Sequence, residues 1–216
     1  MKKNIFLSFR PEFFRPILYG MKKYEYRKRF CKEPTTAYLY LSSPVQEVIG
    51  VVEFLKPLIA EELLVNYSES SEVYSRLKRS IDSGEQYIIP IKSLRLFERP
   101  IPIAELKMIN PKFCVPQCYC NLENQKDIFE YLKSQTLMKK EFEHDHSKIF
   151  EENLCVLCSE MEEMREYKKQ DDIFRRDPRY ANVKCTSLTE RMSKKWKMYT
   201  IPWQVWITLL TIFLKS

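Results

Sequence analysis

The alternation of apolar and polar residues changes rhythm several times along this chain, and each change predicts an element. Ile5 to Phe9 is a short apolar run read as a first strand, and Pro11 stands where a helix can open. The helix Glu12 to Tyr19 would turn Phe13, Pro16 and Ile17 inward, with Gly20 ending it. Lys22 to Arg29 alternates: Lys22, Tyr24, Tyr26 and Lys28 face one way, Lys23, Glu25, Arg27 and Arg29 the other, and neither set looks like core. Ala37 to Leu41 and Val48 to Phe54 read as two further strands around the turn-forming Ser42-Ser43-Pro44. Residues 58 to 83 shift to a helical period, with Leu63, Leu64, Tyr67, Val73, Leu77 and Ile81 as buried positions. Tyr87 to Phe97 returns to strand, with Pro90 marking an edge or bulge.

Beyond about residue 121 the pattern is helical almost throughout. Phe150, Leu154, Leu157, Met161 and Met164 recur at spacings that make one seam of a helix. Residues 175 to 184 read as a loop and Ser187 to Trp196 as a short helix. The apolar end from Met198 has only twelve residues between Pro202 and Lys215, short of the roughly 20 a membrane-spanning helix needs. Gln204, Thr208 and Thr211 form a polar stripe on it, so the expectation is a helix buried against the protein or a second copy.

Composition narrows the chemistry. Three glycines, where average usage would give about fifteen, leave no Gly-rich cradle for a nucleotide triphosphate or dinucleotide. No cofactor is expected. Seven cysteines behind an N-terminus without a signal-peptide core fit a reducing cytoplasm. Charge is uneven: residues 1 to 32 hold ten Lys or Arg against Glu12 and Glu25, while the remaining residues are nearly balanced. Folded onto one face, that excess would attract polyanions.

The densest stretch reads Gly20-Met21-Lys22-Lys23-Tyr24-Glu25-Tyr26-Arg27. Glu25 and Arg27 stand two apart on one strand face, so the guanidinium can fix the carboxylate and keep donors for a phosphate or base edge. Lys22 starts on the opposite face by alternation, and the Gly20 turn could swing it across. Tyr24 and Tyr26 interleave with cations, a combination suited to single-stranded nucleic acid through stacking and backbone charge. Arg10, Lys23 and Arg29 extend the basic surface.

Glycine, any residue, lysine, two residues, glutamate, one residue, arginine is the usual signature of the ASCH domain, a β-barrel of the PUA-like superfamily. Together with the preceding helix, the strands "YLYLSSP" and "VIGVVEF" and the later "INPKFCVPQCYCNL", it makes residues 1 to about 120 resemble that family. The resemblance implies an α+β fold, a PUA-like barrel domain over 1 to 120 with flanking helices, and the helical pattern beyond it adds an extension over 121 to 216. It also implies RNA or a modified nucleotide as ligand. Some relatives are ribonucleases or hydrolyse N4-acetylcytidine with a Lys, a Thr and a Glu. Lys22 falls on that lysine, but Glu25 stands where the threonine would be, which weakens the amidohydrolase reading. An enzyme, a nuclease or a nucleoside amidohydrolase, would use Lys22 as base and Glu25 as acid or metal ligand. A third reading is an interaction module whose apolar end recruits a protein partner.

His144, His146, Cys155 and Cys158 could together supply four zinc ligands. Both cysteines fall in the expected helical seam without the turn residues of a zinc knuckle, so no metal is expected. Cys114, Cys118 and Cys120 are read as core or loop thiols.

Overall fold

The computed structural model describes residues 2–18, 20–43 and 45–161. The chain divides into two compact units, Met1–Val156 and Leu157–Ser216. In chain order the first holds β1 (Lys3–Phe9), α1 (Pro11–Leu18), β2 (Tyr24–Arg27), β3 (Thr35–Leu41), β4 (Glu47–Phe54), β5 (Leu58–Ile59), α2 (Ala60–Leu64), α3 (Glu72–Asp82), β6 (Tyr87–Pro102), α4 (Ile103–Ile109), β7 (Tyr119–Asn121), α5 (Lys126–Lys133) and β8 (Leu137–Glu143). Of the second, the one-turn helix α6 (Cys158–Met161) is described.

The strands form one mixed sheet in the order β2-β6-β4-β3-β1-β7, curled into a half-barrel, with β5 and β8 also paired to β6. β1 and β3 run parallel and the other pairs antiparallel. The fold is α+β. Both faces of its central strands are buried, which explains why β3 and β4 read as continuous apolar runs. Phe6, Tyr38, Tyr40, Val48, Val51 and Phe97 face α4 and α5, packing on Leu106, Ile128 and Leu132.

β6 is the member that shapes the sheet. Its first residues, Tyr87 to Pro90, pair with β2, and Ile91 onward pairs with β4. Pro90 has no N–H to give to a ladder, so the strand changes partners there, as its position predicted. β4 in turn lies against β6 at Gly50, opposite Leu96, next to a register shift. A methyl group on Gly50 would stand 2.8 Å from the Leu96 Cα and closer still to the Arg95 carbonyl oxygen.

Three expectations need correction. The sheet does not end near residue 120: Leu137–Glu143 is a strand, because β6 offers an open edge and pairing overrides the weak strand propensity of its lysines and glutamates. The helical region 58 to 83 is two helices separated by a serine-rich turn, with Ser71 capping α3 through the Tyr74 N–H at 3.1 Å. The seam from Phe150 is not one helix: Glu151–Asn153 is a short 3₁₀ turn, and Cys155 has a φ of 52°. Met164, the proposed helix 187 to 196 and the apolar end lie outside the described residues. Among the described residues no helix is long and apolar enough to cross a membrane.

Replacing Gly50 by alanine forces β4 away from β6, and overpacking of this kind costs about 1 to 3 kcal/mol. Urea denaturation should show that loss of stability.

Candidate functional site

The ends of two elements bring the basic segment to its place. α1 stops at Gly20, which takes a left-handed φ of 71° and donates its N–H to the Ile17 carbonyl at 3.0 Å. The Pro16 carbonyl then accepts from both Met21 and Lys22, each at 2.9 Å. This tight turn delivers the chain into β2, where Glu25 lies opposite Ile89 and Arg27 opposite Tyr87.

Lys22 therefore leaves the turn before strand alternation begins, and its ammonium reaches the same carboxylate as Arg27. Lys22 Nζ stands 3.2 Å from Glu25 Oε2, and Arg27 Nε stands 2.8 Å from Glu25 Oε1. The Nε–H is not aimed at that oxygen, so charge rather than a directed hydrogen bond holds the second contact. Arg27 is fixed further by Nη2, which donates to the Ser8 carbonyl at 3.1 Å, and by Nη1, 3.6 Å from Cys118 Sγ. The Lys22 ammonium also sits 5.0 Å from the centre of the Tyr26 ring. The side chains of Lys22, Glu25 and Arg27 are 6%, 7% and 17% exposed.

Two cations share one carboxylate, so the triad carries an excess positive charge in a place almost closed to water. Buried ion pairs of this kind contribute little net stability over an apolar replacement, because desolvation offsets the Coulomb gain. Removing one partner is different, since it leaves a bare buried charge.

The other expected site residues separate from the triad. Tyr24 is 2% exposed, and its hydroxyl accepts from the Phe150 N–H at 2.9 Å. The Tyr26 hydroxyl accepts from the Cys155 N–H at 2.7 Å and donates to the Asn153 carbonyl at 3.3 Å. Both tyrosines are thus held by a segment some 125 residues away in sequence, the Tyr24 ring edge-on to His146 and the Tyr26 ring beneath the Lys22 ammonium. Lys23 Nζ lies 3.3 Å from the Phe150 ring centre. Arg10 is exposed beside Phe13, and Arg29 is exposed after β2. Two contributors had no signature in the sequence: the Ser8 carbonyl, because any residue supplies one, and Cys118, which reads as an ordinary thiol.

His144 and His146 are half-buried. His146 Nε2 is 2.9 Å from the Ile91 carbonyl, and its ring meets Tyr24 edge-on at 5.4 Å. His144 Nδ1 is buried without a partner. Burial, then the neighbouring His146 and Lys23, push the His144 imidazole down to about 4. Burial likewise pushes the Cys155 thiol up to about 11, keeping it protonated at neutral pH. Among the described residues no cluster of three or more His, Cys, Asp or Glu is placed to hold a metal ion.

Solved structures share this architecture over part of the chain. A crystal structure of ASCH from Zymomonas mobilis is 24% identical, covering 62% of this chain and 96% of that one, with a TM-score of 0.45. A serine-to-alanine mutant of the Zymomonas mobilis protein is 26% identical, covering 62% and 97%, with a TM-score of 0.46. This chain resembles an ASCH domain. An NMR structure of Rpa0253 from Rhodopseudomonas palustris is similar at 13% identity, covering 50% and 72%, with a TM-score of 0.33. No protein-family model and no curated protein sequence matches the chain.

Two outcomes are expected here. Glu25→Leu strands two buried cations and should cost about 3 to 5 kcal/mol, whereas Lys22→Met, Glu25→Leu and Arg27→Met combined should recover most of that loss. Urea titrations of both variants check this. His144 is held neutral by the fold, so its contribution is complete above pH 6.5 and is lost as pH falls from 6.5 toward about 4. Acidification from pH 7 to 5 should lower the urea midpoint, and His144→Leu should flatten that dependence.

Proposed function

We propose that the protein recognises single-stranded RNA by taking one nucleotide, plain or modified, at the Lys22, Glu25 and Arg27 triad. The observation that carries this reading is the excess buried charge: two cations around one carboxylate, nearly closed to solvent. A phosphate oxygen or a base carbonyl compensates such a charge. Donors remain for it, because a guanidinium has two N–H groups on each Nη and an ammonium has three, and the contacts within the protein use fewer.

Burial sets the size of what enters. A duplex cannot reach side chains this enclosed, whereas a single unstacked nucleotide can present its edge, the usual mode of sequence-specific RNA recognition. Arg27, the most open of the three, would meet the ligand first. The exposed Arg10, Lys28 and Arg29 would add attraction that does not depend on sequence. Recognition is favoured over catalysis because both oxygens of Glu25 are engaged by cations, which leaves no free carboxylate to move a proton.

Fluorescence polarisation with a labelled oligoribonucleotide at fixed salt tests this. Lys22→Ala with Arg27→Ala should weaken binding at least about tenfold, the worth of one good charged contact, while Arg29→Ala changes it only a few-fold. The triple apolar variant serves as the folded control. Unchanged affinity in both site variants would refute the assignment, and time-dependent loss of RNA that vanishes in Glu25→Gln would replace it with an enzyme.

A further inference from the structure

The segment Phe150 to Cys155 is neither α-helix nor sheet partner, yet most of its backbone groups are hydrogen-bonded. Side chains do it. Arg76 of α3 donates from Nη2 to the Glu151 carbonyl at 2.6 Å and from Nε to the Leu154 carbonyl at 3.0 Å. Arg79 Nη2 donates to the Cys155 carbonyl at 3.2 Å. From the other side, the Tyr24 and Tyr26 hydroxyls take the Phe150 and Cys155 N–H groups. The segment is a strap bolted between α3 and β2.

The strap meets Lys22 at both ends of that residue. Asn153 Nδ2 donates to the Met21 carbonyl at 3.1 Å, fixing the backbone immediately before Lys22. The Tyr26 hydroxyl, bonded twice to the strap, fixes the ring that lies under the ammonium. Leu154 is fully buried and Asn153 is 9% exposed, so the strap is seated rather than resting on the surface.

We infer that Tyr26 and Asn153 are positioning residues for the Lys22 ammonium, and that Arg76 governs that position from α3 by holding the strap down. Arg76 bonds strap carbonyls and Glu72, so its influence on Lys22 passes through the strap. The functional meaning of this device rests on the nucleotide reading above. Its test does not, because the position of Lys22 is read without ligand.

The full chain is treated with a water-soluble amine-acetylating ester, and the rate at Lys22 is followed by peptide mass spectrometry against the exposed Lys28. In the natural protein Lys22 should react far more slowly than Lys28. Tyr26→Phe, which keeps the ring and forfeits two neutral hydrogen bonds, should raise the Lys22 rate several-fold, and Arg76→Leu, which forfeits charged ones, should raise it by about tenfold. Lys28 should not change. The two substitutions combined should do no more than the larger alone, because they act on one path. An unchanged Lys22 rate in Tyr26→Phe, or effects that multiply in the double variant, would overturn the inference. If Arg76→Leu melts the fold, the Tyr26→Phe result decides alone. RNA affinity of Tyr26→Phe is measured separately: loss of the nucleotide reading with intact Lys22 release would leave the strap's role standing.

Discussion

Glu25 holds two cations with its two oxygens, and the arrangement of the site follows from that division. Neither Lys22 nor Arg27 could be brought so far out of water without the carboxylate. Glu25 in turn lies at 5% exposure between them, its carboxylate oxygens facing the two cations in place of water. One carboxylate nevertheless neutralises only one of the two. Among the described residues, two cations thus share this one carboxylate within the half-barrel.

Much of the frame was legible because it depends on local pattern. The first strand, the helix after Pro11, the stop at Gly20 and the strands on either side of Ser42 all follow from alternation and turn chemistry acting over a few residues. The pairing of Glu25 with Arg27 was legible for the same reason, since two residues apart on a strand means one face. Alternation alone puts Lys22 on the opposite face, and the Gly20 turn, where alternation does not hold, swings it across to Glu25, as the sequence allowed. The burial of Tyr24 and Tyr26 was hidden more thoroughly. Nothing within the segment itself says that residues 150 to 155 will cover it.

Those same residues show how a helical reading fails. The spacing of Phe150, Leu154 and Leu157 satisfies a helix, and Leu154 is buried as expected. A helix, however, needs its carbonyls for its own N–H groups. Here arginines 76 and 79 and two tyrosine hydroxyls claim those backbone groups first, and the chain runs on through a left-handed Cys155. β8 fails in the opposite direction, as a lysine-rich segment recruited into the sheet by an open edge.

Arg27 joins Ser8 to Cys118, and Tyr26 joins the same strand to Cys155. These bridges join residues far apart in the chain, so they can form only once the later segment has been made. During synthesis the basic segment emerges early and waits, hydrated and unpaired, until more than a hundred further residues have left the ribosome. The final surroundings of the triad are thus among the last that the nascent chain can supply.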